Sequence, residues 1–113
     1  MNRGEVWRVR LPFRSGHAQA GDRPAVIVQA EQYGASLTTI LTVPFTGQVR
    51  AARRFPGTVL VQPDGTNGLT VPSVALVFQL VALDRRDFLM LLGVLDSAAL
   101  DLVLQELDRL TGR

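Results

Sequence analysis

The stretch Arg-Pro-Ala-Val-Ile-Val-Gln at residues 23–29 decides the fold class, because it is short and rich in β-branched residues. Such a run is typical of a strand that is partly buried on both faces. Residues 38–44, 57–61 and 73–81 have the same character, and the turn-forming residues 63–68 separate the last two. The sequence therefore predicts a domain built mainly of strands.

Upstream of that stretch, residues 5–11 alternate between the two faces of a further strand. Trp7, Val9 and Leu11 share one face, and Val6, Arg8 and Arg10 share the other. Residues 12–22 gather Pro, Gly, Ser and other small residues without periodicity, which predicts a loop of the kind that often carries function. Five strands are thus expected before any convincing helix.

Helical signals come only late in the chain. Asp84 is expected to cap a short helix that ends near Leu92, and Asp96 is expected to cap a longer one. Leu95 can pack on the longer helix as a hydrophobic staple, and Gly112 can end it. Apolar residues recur there at helical spacing, at Leu100, Val103, Leu104, Leu107 and Leu110. We therefore predict one α+β domain over residues 1–113, a small, strongly bent β-sheet or barrel closed by a C-terminal amphipathic helix.

Composition excludes several classes of protein. The chain has no cysteine and one histidine, which excludes disulfides and thiolate metal sites and leaves little for zinc. No run of about 18 apolar residues occurs, and the N-terminus lacks the apolar segment of a secretory signal. We therefore expect a cytoplasmic protein that has no membrane span, no metal and no cofactor.

The basic residues are distributed unevenly along the chain. All 12 are arginine, and eight of them stand against three acids through Pro56, whereas four stand against seven acids from Gly57 onward. Codon bias explains arginine in place of lysine as well as function does, but it does not explain this asymmetry. The front half therefore predicts an anionic partner, because the planar guanidinium suits phosphate.

Four segments carry a resemblance to a known family when they are taken in order. They are residues 3–7 (Arg-Gly-Glu-Val-Trp), 21–28 (Gly-Asp-Arg-Pro-Ala-Val-Ile-Val), 43–46 (Val-Pro-Phe-Thr) and 73–77 (Ser-Val-Ala-Leu-Val), the last followed by Gln79. Together they resemble the MazF/PemK toxins of type II toxin–antitoxin systems. The resemblance implies an SH3-like barrel of the CcdB/MazF/PemK kind, a homodimer, metal-independent cleavage of single-stranded RNA (mRNA) at short sequences, and control by a MazE-like antitoxin.

The same resemblance implies that Arg23 and Thr46 are catalytic. Cleavage by the neighbouring 2′-OH needs a proton removed, a phosphorane charge stabilised and the leaving oxygen protonated, and charge stabilisation is usually the largest of these contributions. Because a guanidinium normally keeps its proton, we expect Arg23 to stabilise charge rather than act as a base. From the residues alone, Arg23 fits an ordinary exposed strand residue and Thr46, followed by Gly47, fits a plain turn.

Further residues are candidates for contact with RNA. His17 lies in the loop before Arg23, and histidine ordinarily titrates near neutral pH, so it is either an acid–base group or simply a solvated side chain. Gln19 in the same loop and Gln79 match positions that the resemblance associates with RNA. A stretch after Thr46 offers phosphate contacts or, alternatively, a solvated loop, through Arg50, Arg53 and Arg54.

Three departures from the family pattern leave other functions open. Ala18 and Pro72 stand where relatives often carry an acid, and Phe78 replaces a polar or acidic residue, so base specificity or activity is expected to differ. A catalytically weakened RNA-binding relative would need exposed aromatic rings, and several of the aromatic residues lie in apolar strands where core packing is favoured. A CcdB-like toxin that binds gyrase without being an enzyme would need a docking surface instead of a phosphate site.

Overall fold

A computed structural model of the protein describes residues 1–12 and 21–113. Within them the strands are β1 (Glu5–Arg10), β2 (Asp22–Ile27), β3 (Thr39–Thr46), β4 (Thr58–Val61), β5 (Ser73–Leu76), β6 (Val81–Asp84) and β7 (Phe88–Val94). The helices are α1 (Val49–Ala52) and α2 (Ser97–Leu110). Short 3-10 segments lie at Glu31–Tyr33, Val77–Gln79 and Arg85–Asp87. The predicted α+β class, with its C-terminal helix, is confirmed.

The strands form an antiparallel sheet in the order β4-β5-β3-β2-β1-β7, and β6 pairs with β3 beside this path. The long strand β3 organises the sheet, because β2 lies along one of its edges while β6 and then β5 follow one another along the other. Within the described part of the chain, β4 and β7 end the order without pairing to each other. The sheet is therefore open, and hydrogen bonding does not close it into a barrel.

Strand β1 lies between two hydrophobic cores. The predicted face of Trp7, Val9 and Leu11 is confirmed, since all three pack in one core with Phe88, whose ring meets the Trp7 ring edge-on at 5.9 Å between centroids. Val6, on the other face, is also fully buried, in the core that α2 covers. Two register shifts in the pairing of β1 with β7 accompany this arrangement, as β-bulges bend a strand.

Helix α2 has the caps and the buried face expected of it. The Asp96 carboxylate accepts a hydrogen bond from the Ala99 N–H at 2.7 Å, which satisfies an otherwise unpaired donor of the first turn. Val103 is fully buried, and the other core-facing residues are Leu100, Leu104 and Leu107. Gly112, just beyond the helix, adopts a positive φ of 84°. The amphipathic face therefore anchors the helix on the sheet.

Two local predictions are wrong. Residues 73–81 do not form one strand, because β5 pairs with β4 and the end of β3, whereas β6 pairs with the beginning of β3. The 3-10 segment Val77–Gln79 makes this change of partner, and the Val77 N–H donates to the Gly57 carbonyl. The expected helix after Asp84 is limited to the 3-10 turn Arg85–Asp87, since the backbone of Phe88–Val94 pairs with β1 instead.

The connection between β4 and β5 packs closely against β7. A Cβ atom at Gly93 would overlap the Thr66 carbonyl oxygen, and one at Gly68 would overlap the Leu92 carbonyl oxygen. The Val94 N–H donates to that same Thr66 carbonyl at 2.9 Å. Only residues without a side chain permit this contact, which fixes the connection beside the sheet. No helix within residues 1–12 and 21–113 is long and apolar enough to cross a membrane.

Candidate active site

A cleft of about 230 Å³ opens where the β4–β5 connection faces the sheet. Its polar lining comes from β1, from the end of β3 and from the approach to β5, and includes Arg8, Thr46, Thr70 and Ser73. Its volume is below the ~300–1,000 Å³ that encloses a drug-sized molecule. The cleft is therefore of a size for one part of a longer ligand.

Thr46 is the last residue of β3 and lines the cleft. The Thr46 Oγ1 accepts a hydrogen bond from the Gln48 N–H at 3.2 Å. Since a hydroxyl also donates one proton, this turn leaves the Thr46 O–H able to donate to a group in the cleft. The turn interpretation and the site interpretation of Thr46 are thus compatible, because one oxygen serves both.

Arg8 is a site residue that sequence reasoning missed. Among the described residues that line the cleft, Arg8 alone is charged. Val6 and Val9, which lie on either side of Arg8 along β1, are both fully buried. Because they point to opposite faces of the strand, they hold the backbone that carries the guanidinium from both sides. The sequence placed Arg8 on the same face of the strand as Val6, which could have indicated a site residue. An arginine in an alternating strand is, however, normally solvated.

Arg23 lies beside the cleft. It is the second residue of β2, it is partly exposed, and it pairs in register with Val9, whereas the next residue, Pro24, pairs with Arg8 and lines the cleft. Because side chains alternate along a strand, Arg23 and Pro24 point to opposite faces of β2. The structure thus brings Arg8 and Thr46 together and places Arg23 at the adjoining strand end. His17, Gln19 and the departure at Ala18 lie outside the described residues.

The three arginines after Thr46 are exposed on a helix that the sequence did not predict. Arg50 lies in α1, Arg53 is its C-terminal cap residue, and Arg54 follows. The ion pairs within the described chain are Arg86–Asp84 and Arg109–Glu106, so none of these three arginines is paired with an acid there. They form a cationic segment that continues directly from the cleft residue Thr46.

Gln79 and the two remaining departures lie on the β5 side of the molecule. Gln79 is partly buried at the end of the 3-10 segment, away from the cleft lining. Pro72 is exposed between two cleft residues, Val71 and Ser73. Phe78 is exposed and touches Phe55, with the ring centroids 5.6 Å apart. Core packing, which the sequence favoured for several of the aromatic residues, does not apply to these two rings.

A polar network shapes the wall of the cleft. The Asp64 carboxylate accepts hydrogen bonds from the Thr66 N–H, the Thr66 hydroxyl and the Asn67 N–H, each at 2.9 Å. These bonds, chiefly those from Thr66, hold the pKa of Asp64 below its usual value. Asn67 is buried, donates to the Gln62 carbonyl at 3.0 Å and accepts from the Leu69 N–H at 3.0 Å. The connection therefore enters the cleft in a fixed conformation.

Metal ligands do not cluster in the described residues, where no group of three or more His, Asp or Glu side chains is placed to hold an ion. The chemistry that this part of the chain offers is that of a guanidinium and a hydroxyl at one cleft. Both can donate hydrogen bonds to the oxygens of a phosphodiester.

Comparison with known proteins extends this picture over the whole chain. Endoribonuclease MazF9 of Mycobacterium tuberculosis is 31% identical over 105 residues, which cover 88% of this chain and 86% of that protein. The crystal structure of MazF from Deinococcus radiodurans matches with a TM-score of 0.79 at 24% identity, over 100% of this chain and 97% of that one. A mycobacterial endoribonuclease solved in complex with its cognate antitoxin matches with a TM-score of 0.78 at 20% identity, over 99% and 95% of the two chains.

These two solved structures share the fold described above. A family model described as "PemK-like, MazF-like toxin of type II toxin-antitoxin system" matches residues 2–111, which include β1, the cleft and α2. The chain therefore belongs to the PemK-like, MazF-like toxin family of type II toxin–antitoxin systems.

Proposed function

We propose that the protein is the toxin of a type II toxin–antitoxin system and acts as an endoribonuclease that cuts single-stranded RNA at short sequences. The observation that carries the proposal is the cleft that Thr46 and Arg8 line together. Family membership over residues 2–111 and 31% identity to an endoribonuclease support it. The whole of residues 1–113 acts as one toxin domain in this proposal.

The proposed reaction is attack by a ribose 2′-OH on the adjacent phosphorus. The O2′–P bond forms and the P–O5′ bond breaks, while one proton leaves O2′ and another reaches O5′. Negative charge on the phosphoryl oxygens rises on the way, and fixed donors aimed at that charge supply the main acceleration. Arg8 and Thr46 donate from the cleft, whereas Arg23, whose side chain leaves the other face of β2, remains a catalytic candidate on the family resemblance alone. His17 and Gln19 remain candidates for proton transfer and RNA contact.

The protein's partners follow from the same proposal. The solved relatives include MazF from Deinococcus radiodurans with MazE and a mycobacterial endoribonuclease with its cognate antitoxin. We expect this chain to be inhibited by a MazE-like antitoxin, to form a homodimer and to act in the cytoplasm. Exposed apolar side chains on the edge strand β7 favour an interface with another protein chain, at Leu89, Met90, Leu91 and Val94.

The decisive test removes the Thr46 hydroxyl while keeping its shape. Thr46→Val replaces the hydroxyl by a methyl group, and Thr46→Ser keeps the hydroxyl. In EDTA, with mixed-sequence single-stranded RNA, wild type and Thr46→Ser are expected to cleave, and Thr46→Val is expected to be slower by about 100-fold, the typical loss for one transition-state donor. A folded wild type that leaves all RNA intact, or a Thr46→Val variant as fast as wild type, would contradict the proposal.

Two alternative functions differ in how well they agree with the comparisons. A gyrase-binding toxin of the CcdB kind is not favoured, because the family model that spans the chain is that of the PemK-like and MazF-like toxins. A catalytically weakened RNA-binding relative predicts RNA binding without cleavage by the wild type in the same assay.

A further inference from the structure

Two phenyl rings form an exposed pair outside the cleft. The Phe55 and Phe78 rings lie 5.6 Å apart between centroids, with their planes tilted by 41°, and the residues are 51% and 41% exposed. Hydrogen bonds hold both chain segments in place. The Phe55 N–H donates to the Ala52 carbonyl at 3.1 Å, and the Phe55 carbonyl accepts from the Thr58 hydroxyl at 3.2 Å. The Val77 N–H, next to Phe78, donates to the Gly57 carbonyl at 2.9 Å.

The two chain segments that carry this pair contain charged residues of one sign only. The sequence contains no Asp or Glu from residue 32 to residue 63, or from residue 65 to residue 83. These ranges include α1, β4, β5 and the 3-10 segment that carries Phe78. In the same ranges Arg50, Arg53 and Arg54 are exposed, and Arg54 directly precedes Phe55. An exposed aromatic surface beside cations fits a ligand that is both anionic and flat-ringed.

We propose that Phe55 and Phe78 form a stacking platform for an unpaired base of the bound RNA, while Arg53 and Arg54 hold the neighbouring phosphates. The inference rests on the proposed function, since it assigns a further contact of the same substrate. Single-stranded nucleic acids bind by this combination of aromatic faces and cationic groups. Because the platform lies outside the cleft lining, it contributes to RNA binding and sequence preference rather than to bond breaking.

The position of the platform along the chain agrees with this assignment. Thr46, α1 and Phe55 follow one another within a single ten-residue segment, so the cleft and the platform are joined by the arginine-bearing helix. A protein partner at the same rings would have to be acidic to match the arginines. An acidic antitoxin is therefore one alternative occupant, and the acid-rich second half of another copy of the chain is the other. The experiment distinguishes both from RNA.

The test uses oligonucleotides that the protein cannot cleave. Mixed-sequence 2′-O-methyl RNA 12-mers, with all bases present or with abasic residues throughout, are titrated with protein and followed by fluorescence anisotropy. Phe78→Ala and Phe55→Ala are each expected to weaken binding of the complete oligonucleotide by about 5- to 100-fold, the loss typical of one stacked base. Binding of the abasic oligonucleotide stays unchanged. Phe78→Trp, which keeps an aromatic face, is expected to bind the complete oligonucleotide like wild type.

Matched controls separate the roles of rings and charges. Arg53→Gln is expected to weaken binding of both oligonucleotides to the same extent, because a phosphate contact does not depend on the base. Far-UV circular dichroism and thermal melting show that each variant is folded, and sedimentation gives its oligomeric state.

Three outcomes overturn the platform. One is equal binding of the complete oligonucleotide by wild type and both alanine variants. Another is equal weakening with both oligonucleotides. The third is unchanged RNA binding together with loss of the dimer or of antitoxin binding, which would identify a protein interface instead. If the wild type neither binds nor cuts RNA, the proposed function itself fails. If the wild type cuts RNA and the phenylalanine variants cut it at the same rate and the same positions, only the platform is refuted.

Discussion

Gly93→Ala tests whether the contact between β7 and the β4–β5 connection holds the cleft together. The added Cβ would meet the Thr66 carbonyl oxygen and would lie 2.6 Å from the Asn67 carbonyl carbon and 2.8 Å from the Gly68 nitrogen. All three are backbone atoms, so no flexible side chain can move aside. Gly93 has no positive φ, and the penalty is therefore steric rather than conformational.

The magnitude follows from two contributions. Overpacking at a site that cannot yield costs about 1–3 kcal/mol. Separation of the two segments also loses the hydrogen bond from the Val94 N–H to the Thr66 carbonyl, worth about 1 kcal/mol. We expect the free energy of unfolding to fall by about 2–4 kcal/mol, measured by urea denaturation at fixed protein concentration. RNA cleavage should fall as well, since Gly68, one of the displaced residues, lines the cleft together with Leu69, which follows it.

Gly65→Ala is the matched control. Gly65 lies in the same connection, with a φ of 85° and no atom within 4 Å of an added Cβ. Only the left-handed conformation is then penalised, by about 1–2 kcal/mol, and cleavage should stay close to wild type. A Gly93→Ala protein within about 0.5 kcal/mol of wild type, the usual range for surface substitutions, would refute the role assigned to this contact.

Three further predictions concern charge. Arg8→Gln should slow RNA cleavage by about 100-fold, as removal of one transition-state donor does, whereas Arg10→Gln, at the exposed end of the same strand, should leave the cleavage rate unchanged; equal rates for the two variants would remove Arg8 from the site. Replacing Arg50, Arg53 and Arg54 together by Gln should reduce the slope of log affinity against log salt by about 2, while Arg109→Gln on α2 should leave it unchanged, and an unaltered slope in the triple variant would contradict phosphate contacts. The pKa of Asp64 is lowered on folding, so its carboxylate stabilises the protein above its unfolded pKa of 3.8, and this contribution is lost as the pH falls below that value. Asp64→Asn should therefore lose less stability than wild type when urea unfolding is compared at pH 7 and pH 3. An equal loss in the two proteins would contradict the prediction.

Local sequence patterns correctly predicted the elements whose conformation depends mainly on their own residues. The alternation of residues 5–11 predicted the faces of β1, and the spacing of apolar residues after Asp96 predicted α2 with its cap. Phe88–Val94 was misassigned because its conformation depends on a distant partner, β1, whose outer edge needs backbone hydrogen bonds. The interruption of residues 73–81 at Val77–Gln79 likewise depends on distant residues, because β5 and β6 pair with different parts of β3. Such pairings join residues far apart in sequence and leave no local pattern.

The site could be predicted only in part, for a related reason. Thr46 was found because the family resemblance marks its position, and the structure places it at the cleft. The arginines after Thr46 were found from their charge and their closeness to it in the sequence. Arg8 was missed, because nothing within residues 5–11 distinguishes an arginine at a cleft from one in water. The distinction comes from Gly68 to Val71, which line the same cleft although they begin 60 residues after Arg8 in the sequence.

The same two-sided packing of β1 explains how a chain this small can hold a site for charge stabilisation. A donor accelerates a reaction most when it is already in place and pays no reorganisation at the moment of reaction. Arg8 stands between Val6 and Val9, each buried in a different core, and Thr46 ends the strand to which β2, β5 and β6 all pair. Both donors therefore leave the backbone at points that cannot shift without disturbing the cores. We accordingly expect a MazE-like antitoxin to inhibit by covering the cleft rather than by deforming it, so that a bound antitoxin and bound RNA exclude one another.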